Sequence, residues 1–172
     1  NKLEVEPLPA PINSPYWEGK VTISPDGNTI WFASDRPESI GGKDIFKSEK
    51  LADGTWGAAQ NLGEPINTVY DENAPFIHPS GSIFYFSSTE HNTMGGYDIF
   101  SVLLGETKVL VPENLCFPIN TTGDDTYFIL SANGKVGYFS SSYGNRYKNY
   151  DIYQVEMNLN IPLTLVKGTI LA

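Results

Sequence analysis

One block of residues occurs three times in this chain, and a fixed internal period constrains the architecture more than any other sequence feature. Asp44-Ile45-Phe46 returns as Asp98-Ile99-Phe100 and as Asp151-Ile152-Tyr153, at spacings of 54 and 53 residues. Pro11-Ile12-Asn13 returns as Pro65-Ile66-Asn67 and Pro118-Ile119-Asn120, at the same two spacings. Ser24-Pro25-Asp26-Gly27 becomes His78-Pro79-Ser80-Gly81 and Ser131-Ala132-Asn133-Gly134. Trp31-Phe32-Ala33-Ser34 becomes Tyr85-Phe86-Ser87-Ser88 and Tyr138-Phe139-Ser140-Ser141. Four independent markers therefore share one period.

Within a unit the pattern is that of short strands. Lys20 to Ser24 is followed by the turn pair Asp26-Gly27, where glycine accepts positive φ. Thr29 to Ser34 is aromatic and β-branched, as a half-buried pleated surface requires. Asp44 to Glu49 and Trp56 to Leu62 supply a third and a fourth strand. The other units place first strands near Ala74 to His78 and Tyr127 to Leu130. Their second strands lie near Ser82 to Ser88 and Val136 to Ser141, and their third near Tyr97 to Val102 and Tyr150 to Val155. No helical periodicity stands out. A sandwich would not repeat its sequence, and solenoid units are usually shorter and often helical.

Four antiparallel strands per unit of roughly 40–50 residues is the blade pattern of an all-β β-propeller. The expected units are 10–63, 64–116 and 117–157. Residues 1–9 form an orphan fourth strand, and 158–172 a linker leading into a further β domain. Propellers have about four to eight blades. Three blades thus read as the C-terminal half of a six-bladed ring, or as one chain of a homodimer that closes such a ring.

The 172 residues carry a formal net charge of −9, which repels phosphate backbones and anionic lipids and argues against nucleic-acid and membrane-surface partners. Basic or cationic segments remain suitable partners. No apolar run of about 18 residues exists, so no direct membrane insertion by a helix is expected. Cys116 is the only cysteine, which rules out an intrachain disulfide. It is expected to be buried and inert.

Ser-Pro-Asp-Gly, an aromatic strand ending in Ala-Ser or Ser-Ser, and Gly-Gly-x-Asp-Ile-Phe together resemble WD40-like propeller repeats of the TolB type. Gly54-Thr55-Trp56, the segment Asn61-Leu62-Gly63-Glu64-Pro65-Ile66-Asn67 and Asp71-Glu72-Asn73-Ala74-Pro75-Phe76 look more particularly like the propellers of OmpA-family outer-membrane lipoproteins of the Bacteroidetes envelope. The resemblance covers residues 2 to about 155. It implies a periplasmic, outer-membrane-associated protein, akin to the peptidoglycan-linked component of the type IX secretion system. Peptidoglycan would be reached only through domains absent here, and envelope proteins are the implied partners. Val166-Lys167-Gly168-Thr169-Ile170 looks like the opening of a carboxypeptidase-regulatory-like β domain. The third unit departs from the pattern in having Lys148-Asn149 where Gly-Gly stands.

Candidate chemistry is sparse, and the chain reads as a non-catalytic protein-interaction scaffold without cofactor or metal. Gly27, Gly81 and Gly134 are structural turn residues. Asp44, Asp98 and Asp151 open the third strands and are expected to accept backbone N–H groups from the preceding loop. A second acidic set precedes the first strands: Glu18, Asp71, Glu72, Asp124 and Asp125, accompanied by Trp17 and Tyr70. On loops at the channel mouth these seven residues would form a binding surface, with the carboxylates converging on a cation or a basic segment. The alternative for them is a set of solvated turns. Glycan binding through Trp17, Tyr70 and Tyr143 is a second reading. An enzyme is a third, disfavoured one. The near match of Ser24 to Trp31 to a sialidase Asp-box lacks the arginines that chemistry needs, since Arg36 and Arg146 are the only two. His78 and His91 show no zinc spacing. No Gly-x-Ser-x-Gly elbow occurs. Asn120-Thr121-Thr122 matches a glycosylation sequon, a short pattern that arises by chance.

Overall fold

The computed structural model describes residues 3–105, 111–144 and 149–157. They form three antiparallel sheets. The first contains β1 (Glu18–Ile23), β2 (Thr29–Ser34), β3 (Asp44–Glu49) and β4 (Gln60–Asn61), in the order β1-β2-β3-β4. The second repeats it with β5 (Glu72–Ile77), β6 (Ile83–Ser88), β7 (Asp98–Leu103) and β8 (Glu113–Asn114). The third holds β9 (Asp125–Leu130), β10 (Val136–Ser141) and β11 (Asp151–Glu156). β5 packs against both β1 and β9, so the first strands of the three sheets lie side by side along the inner edge.

The hairpins close where the sequence places glycine. Gly27, Gly81 and Gly134 have φ of 73°, 73° and 67°. Each donates its N–H three residues back, to Ser24, His78 and Ser131. These left-handed positions cost a residue with a Cβ about 1–2 kcal/mol.

Strand alternation divides the apolar side chains between two faces. Trp31 and Ile45 point from the first sheet into the second. They share a core with Phe84, Phe86, Phe100 and Val102, bridged by Ile66. One period later Tyr85 and Ile99 meet Phe128, Leu130 and Phe139 of the third sheet, with Ile119 between them. On the outer face of the first sheet Ile30, Phe32 and Phe46 are covered by Ile12, and the Arg36 guanidinium stacks 5.0 Å from both phenylalanine rings. His91 caps the equivalent pair, Phe86 and Phe100, in the second sheet. On the face that Ile45 and Ile99 present to the next sheet, no described residue covers the third sheet: Ile152 is 82% exposed where Ile45 and Ile99 are each 0%.

Several expectations are corrected. The first strands begin two residues before Lys20 and Ala74, and two before Tyr127. Each contains a bulge, at Gly19/Thr22, at Asn73/Phe76 and opposite Tyr138/Ser140. The bulge residues Lys20, Ala74 and Tyr127 adopt φ of 54°, 46° and 59°. The fourth strands shrink to two residues each. Of the orphan strand expected in 1–9, the described residues 3–9 lie outside every sheet. β4 exists only by pairing with β3, through Phe46↔Asn61 and Lys47↔Gln60, and residues 3–9 have no such partner. Cys116 is exposed, not buried, and has φ 57° where Gly63 has 67°. Asn120 is fully buried and hydrogen-bonded, which removes it as a glycosylation site. The linker and further β domain expected at 158–172 lie outside the described residues.

Candidate functional site

The loops before β1, between β2 and β3, and between β4 and β5 all emerge at one end of the sheets, together with their repeats. This end is the mouth, and the sequence places all seven candidate residues there.

Three of the seven do not face solvent. Glu18, Glu72 and Asp125 open β1, β5 and β9 and serve their own blades. Glu72 accepts from the Thr68 N–H (2.8 Å), the Thr68 hydroxyl (2.7 Å) and the Ser88 hydroxyl (2.8 Å). Asp125 accepts from the Thr121 N–H (2.6 Å) and hydroxyl (2.9 Å). Glu18 accepts from the Ser14 N–H at 3.1 Å and from the Ser14 hydroxyl, and pairs with Arg36 at 3.1 Å. The expectation of converging, ligand-facing carboxylates is therefore corrected at these positions, because each strand starts two residues earlier, on the carboxylate itself, and draws it inward. Their electrostatics differ. Burial pushes the Glu18 carboxyl up, but the Ser14 hydrogen bonds and Arg36 outweigh it and hold the group below its ordinary value. Burial, joined by the charge of Asp44, raises Glu72. Burial, joined by the charge of Asp98, raises Asp125.

Asp71 and Asp124 latch neighbouring blades. Asp71 Oδ1 accepts the Lys43 N–H at 2.8 Å, and Oδ2 accepts the Tyr97 hydroxyl at 3.0 Å, with the Lys43 ammonium 3.7 Å away. Asp124 accepts from the Tyr97 N–H at 3.1 Å and the Tyr150 hydroxyl at 3.3 Å. The Gly-Gly pairs exist for this approach. A Cβ on Gly42 would lie 1.9 Å from Asp71 Oδ1, and one on Gly96 equally close to Asp124 Oδ1. Burial and the Asp71 charge push the Tyr97 phenol far up, so it remains a donor.

Trp17 and Tyr70 remain presented to solvent, at 39% and 51% exposure. The Trp17 N–H donates to Asp35 Oδ1 at 2.9 Å, and the Lys43 ammonium sits 5.6 Å from its ring centre. The Tyr70 N–H donates to the Thr68 hydroxyl, and its carbonyl accepts from Gly42. Tyr143, equally exposed, stands beside Gly96, Gly123, Asp124 and Ser142 around a polar cleft of about 340 Å³. Deeper, residues 20–22, 74–76 and 127–129 line a cavity of about 140 Å³, where the Lys20 ammonium lies 3.8 Å from the Tyr127 ring centre.

Asp44 and Asp98 accept from the preceding loop, as expected of the third-strand aspartates. Asp44 Oδ2 accepts from Ile40 N–H and the Asn61 amide, at 2.7 and 2.6 Å. Asp98 Oδ2 accepts from Met94 N–H and the Asn114 amide, at 2.7 and 2.9 Å. Asp151 opens β11. Sequence reasoning missed Asn67 and Asn120. Each clamps both the N–H and the carbonyl of a third-strand isoleucine, Ile45 or Ile99. The recurrence of Pro-Ile-Asn was the signal that marked them. It missed Arg36 as well, which departs from the repeat.

No family model matches the chain, and no curated protein matches it. Among solved structures, TolB from Acinetobacter baumannii superimposes with a TM-score of 0.58 at 18% identity, over 82% of this chain and 30% of that one. The chain has the fold of a TolB-type β-propeller. It spans less than a third of the TolB chain. Kuenenia stuttgartiensis hydrazine synthase also matches, with a TM-score of 0.40 and 21% identity over 69% of this chain and 35% of that one.

Proposed function

We propose that this propeller segment is a non-catalytic protein-interaction module of the bacterial cell envelope. The observation that carries the reading is the mouth itself: Trp17 and Tyr70 are held outward by backbone hydrogen bonds on rigid blades. Aromatic side chains fixed in this way supply binding area at low entropic cost. The net charge of −9 favours a partner segment that is basic. The likeness to TolB, and the resemblance of residues 61–76 to envelope lipoproteins, support a periplasmic, outer-membrane-associated setting. The finer reading is an OmpA-family protein acting in type IX secretion. In it the described sheets belong to the C-terminal half of a six-bladed propeller, and the exposed Ile152 face meets another blade, from the same chain or from a second copy.

Cross-linking the full chain in envelope extracts tests this reading. A defined envelope protein is expected to be captured by the wild type and lost with Trp17→Ala/Tyr70→Ala at unchanged stability. Equal capture by the double variant overturns the mouth as the binding surface. The polar cleft beside Tyr143, with Asp124 and Ser142 on its walls, favours one second reading, a glycan-binding module. Binding on an array of cell-wall glycans that is lost with Tyr143→Ala would establish it in place of the protein partner.

A further inference from the structure

We propose that each seam between blades holds one proton shared by two buried carboxyl groups, Asp44 with Glu72 and Asp98 with Asp125, and that this proton helps hold neighbouring blades together.

The seams bring the groups side by side through the backbone. The Glu72 N–H donates to the Lys43 carbonyl at 2.7 Å, and the Asp125 N–H to the Tyr97 carbonyl at 2.6 Å. Each first strand thus begins against the residue that precedes the third-strand aspartate of the neighbouring blade. All four residues are 0% exposed. Two ionised carboxylates in one dry site repel each other and lose their hydration, so such a pair keeps a proton.

The hydrogen bonds show where that proton resides. Asp44 Oδ2 and Asp98 Oδ2 each accept from a backbone N–H and an asparagine amide, so they act as acceptors. Among the described residues their Oδ1 atoms are buried with no hydrogen-bond partner, as is Asp125 Oδ1, although the Ser141 hydroxyl also acts on the Asp125 carboxyl. A proton on Oδ1 of the third-strand aspartate would turn that unpartnered atom into a donor for the carboxylate that opens the strand packed against it. One proton per seam satisfies both members.

The molecule contains its own comparison. Glu18 occupies the same repeat position as Glu72 and Asp125, but the Arg36 guanidinium neutralises it at 3.1 Å. Neither seam pair forms an ion pair among the described residues. At the first seam the Lys43 ammonium is turned to Asp71, and the His91 ring nitrogen lies 3.3 Å from the Ile66 carbonyl. At the second, the described titratable neighbours are Tyr97, whose phenol donates to Asp71, and Asp124 and Tyr150, which bond each other. The raised proton affinities of Glu72 and Asp125 agree with this arrangement.

The consequence for stability has a definite sign. The folded seam retains a proton that the unfolded chain releases, so stability is full at acid pH and is lost as pH rises through the folded-state value. Site-resolved ¹³C NMR titration of the side-chain carboxyls in the full chain, between about pH 4 and pH 8, tests the proposal. One carboxyl of each pair is expected to remain protonated after Glu18 and the exposed Asp26 have ionised. Ionisation of all four together with Asp26 overturns it. Asp98→Asn mimics the protonated acid and is expected to flatten the loss of stability on raising pH, whereas Glu18→Gln is not. If calcium chloride at neutral pH shifts the Asp98 and Asp125 signals, and a chelator reverses the shift, the seam holds a cation and the shared proton is refuted.

Discussion

Buried asparagine ties each blade to the loop that leaves it. Asn67 meets the backbone of Ile45, 22 residues earlier, with its carbonyl and its amide, and the amide also reaches Asn61 Oδ1 at 2.7 Å. Asn67→Ala leaves the buried Ile45 N–H without its acceptor, while the Ile45 carbonyl keeps the Leu62 N–H and Asn61 Oδ1 keeps the Gly63 N–H, so urea denaturation is expected to show a loss of about 1–3 kcal/mol. Cys116 presents the opposite case. It holds a left-handed conformation that Gly63 holds in the preceding unit, and its side chain is exposed. Cys116→Gly is therefore expected to raise stability by up to about 1 kcal/mol in the same assay. Glu18 sets the acid limb. Its carboxyl is held below its ordinary value, so its contribution is present above that value and fades as pH falls through the folded-state one. In a series of melting temperatures, Glu18→Gln is expected to weaken the protein at neutral pH and to lose its effect in acid. The sequence marked Pro-Ile-Asn as a repeat but could not show its role, because the partner backbone lies in a different strand. The buried fate of Glu18, Glu72 and Asp125 was hidden for a related reason. An acidic residue beside a turn reads as solvated until the strand is seen to begin on it.

At the scale of elements, most strands were legible. β2, β3 and β10 have the boundaries their residues imply, since turn glycines and alternating aromatics fix both ends. The bulges were not legible, because Lys20, Ala74 and Tyr127 have no side-chain property in common and only their backbone repeats. The fourth strands were overread, because Trp56 reaches the sheet only through an isolated bridge to Lys50. The Gly-Gly loops were recognised as loops, but their purpose, the close approach of Asp71 or Asp124, belongs to the neighbouring blade. Gly42→Ala puts a methyl group where Asp71 Oδ1 lies, and is expected to cost about 1–3 kcal/mol. Gly105→Ala meets nothing within 4 Å and serves as the control, with a change within about 0.5 kcal/mol. Chemical denaturation of both variants checks the latch.

For the whole molecule, the controlling fact is that a blade covers its apolar face only with its neighbour. Trp31 and Ile45 are buried because the second sheet lies over them, and Ile152 is exposed because the third sheet has nothing described beyond it. The period of the sequence foretold this architecture, since units that repeat side chains as well as strands repeat their interfaces. Which residues of the mouth are free to bind was less apparent, because the same acidic composition serves latches, seams and solvent. The most direct test of side-by-side blades is a double-mutant cycle on Tyr85 and Phe128, whose ring centres are 4.9 Å apart across the second seam. Measured by denaturation of the full chain with Tyr85→Ala, Phe128→Ala and the pair, the coupling is expected at about 0.5–1.5 kcal/mol. Strictly additive effects, within about 0.3 kcal/mol, would contradict the stacked-blade account.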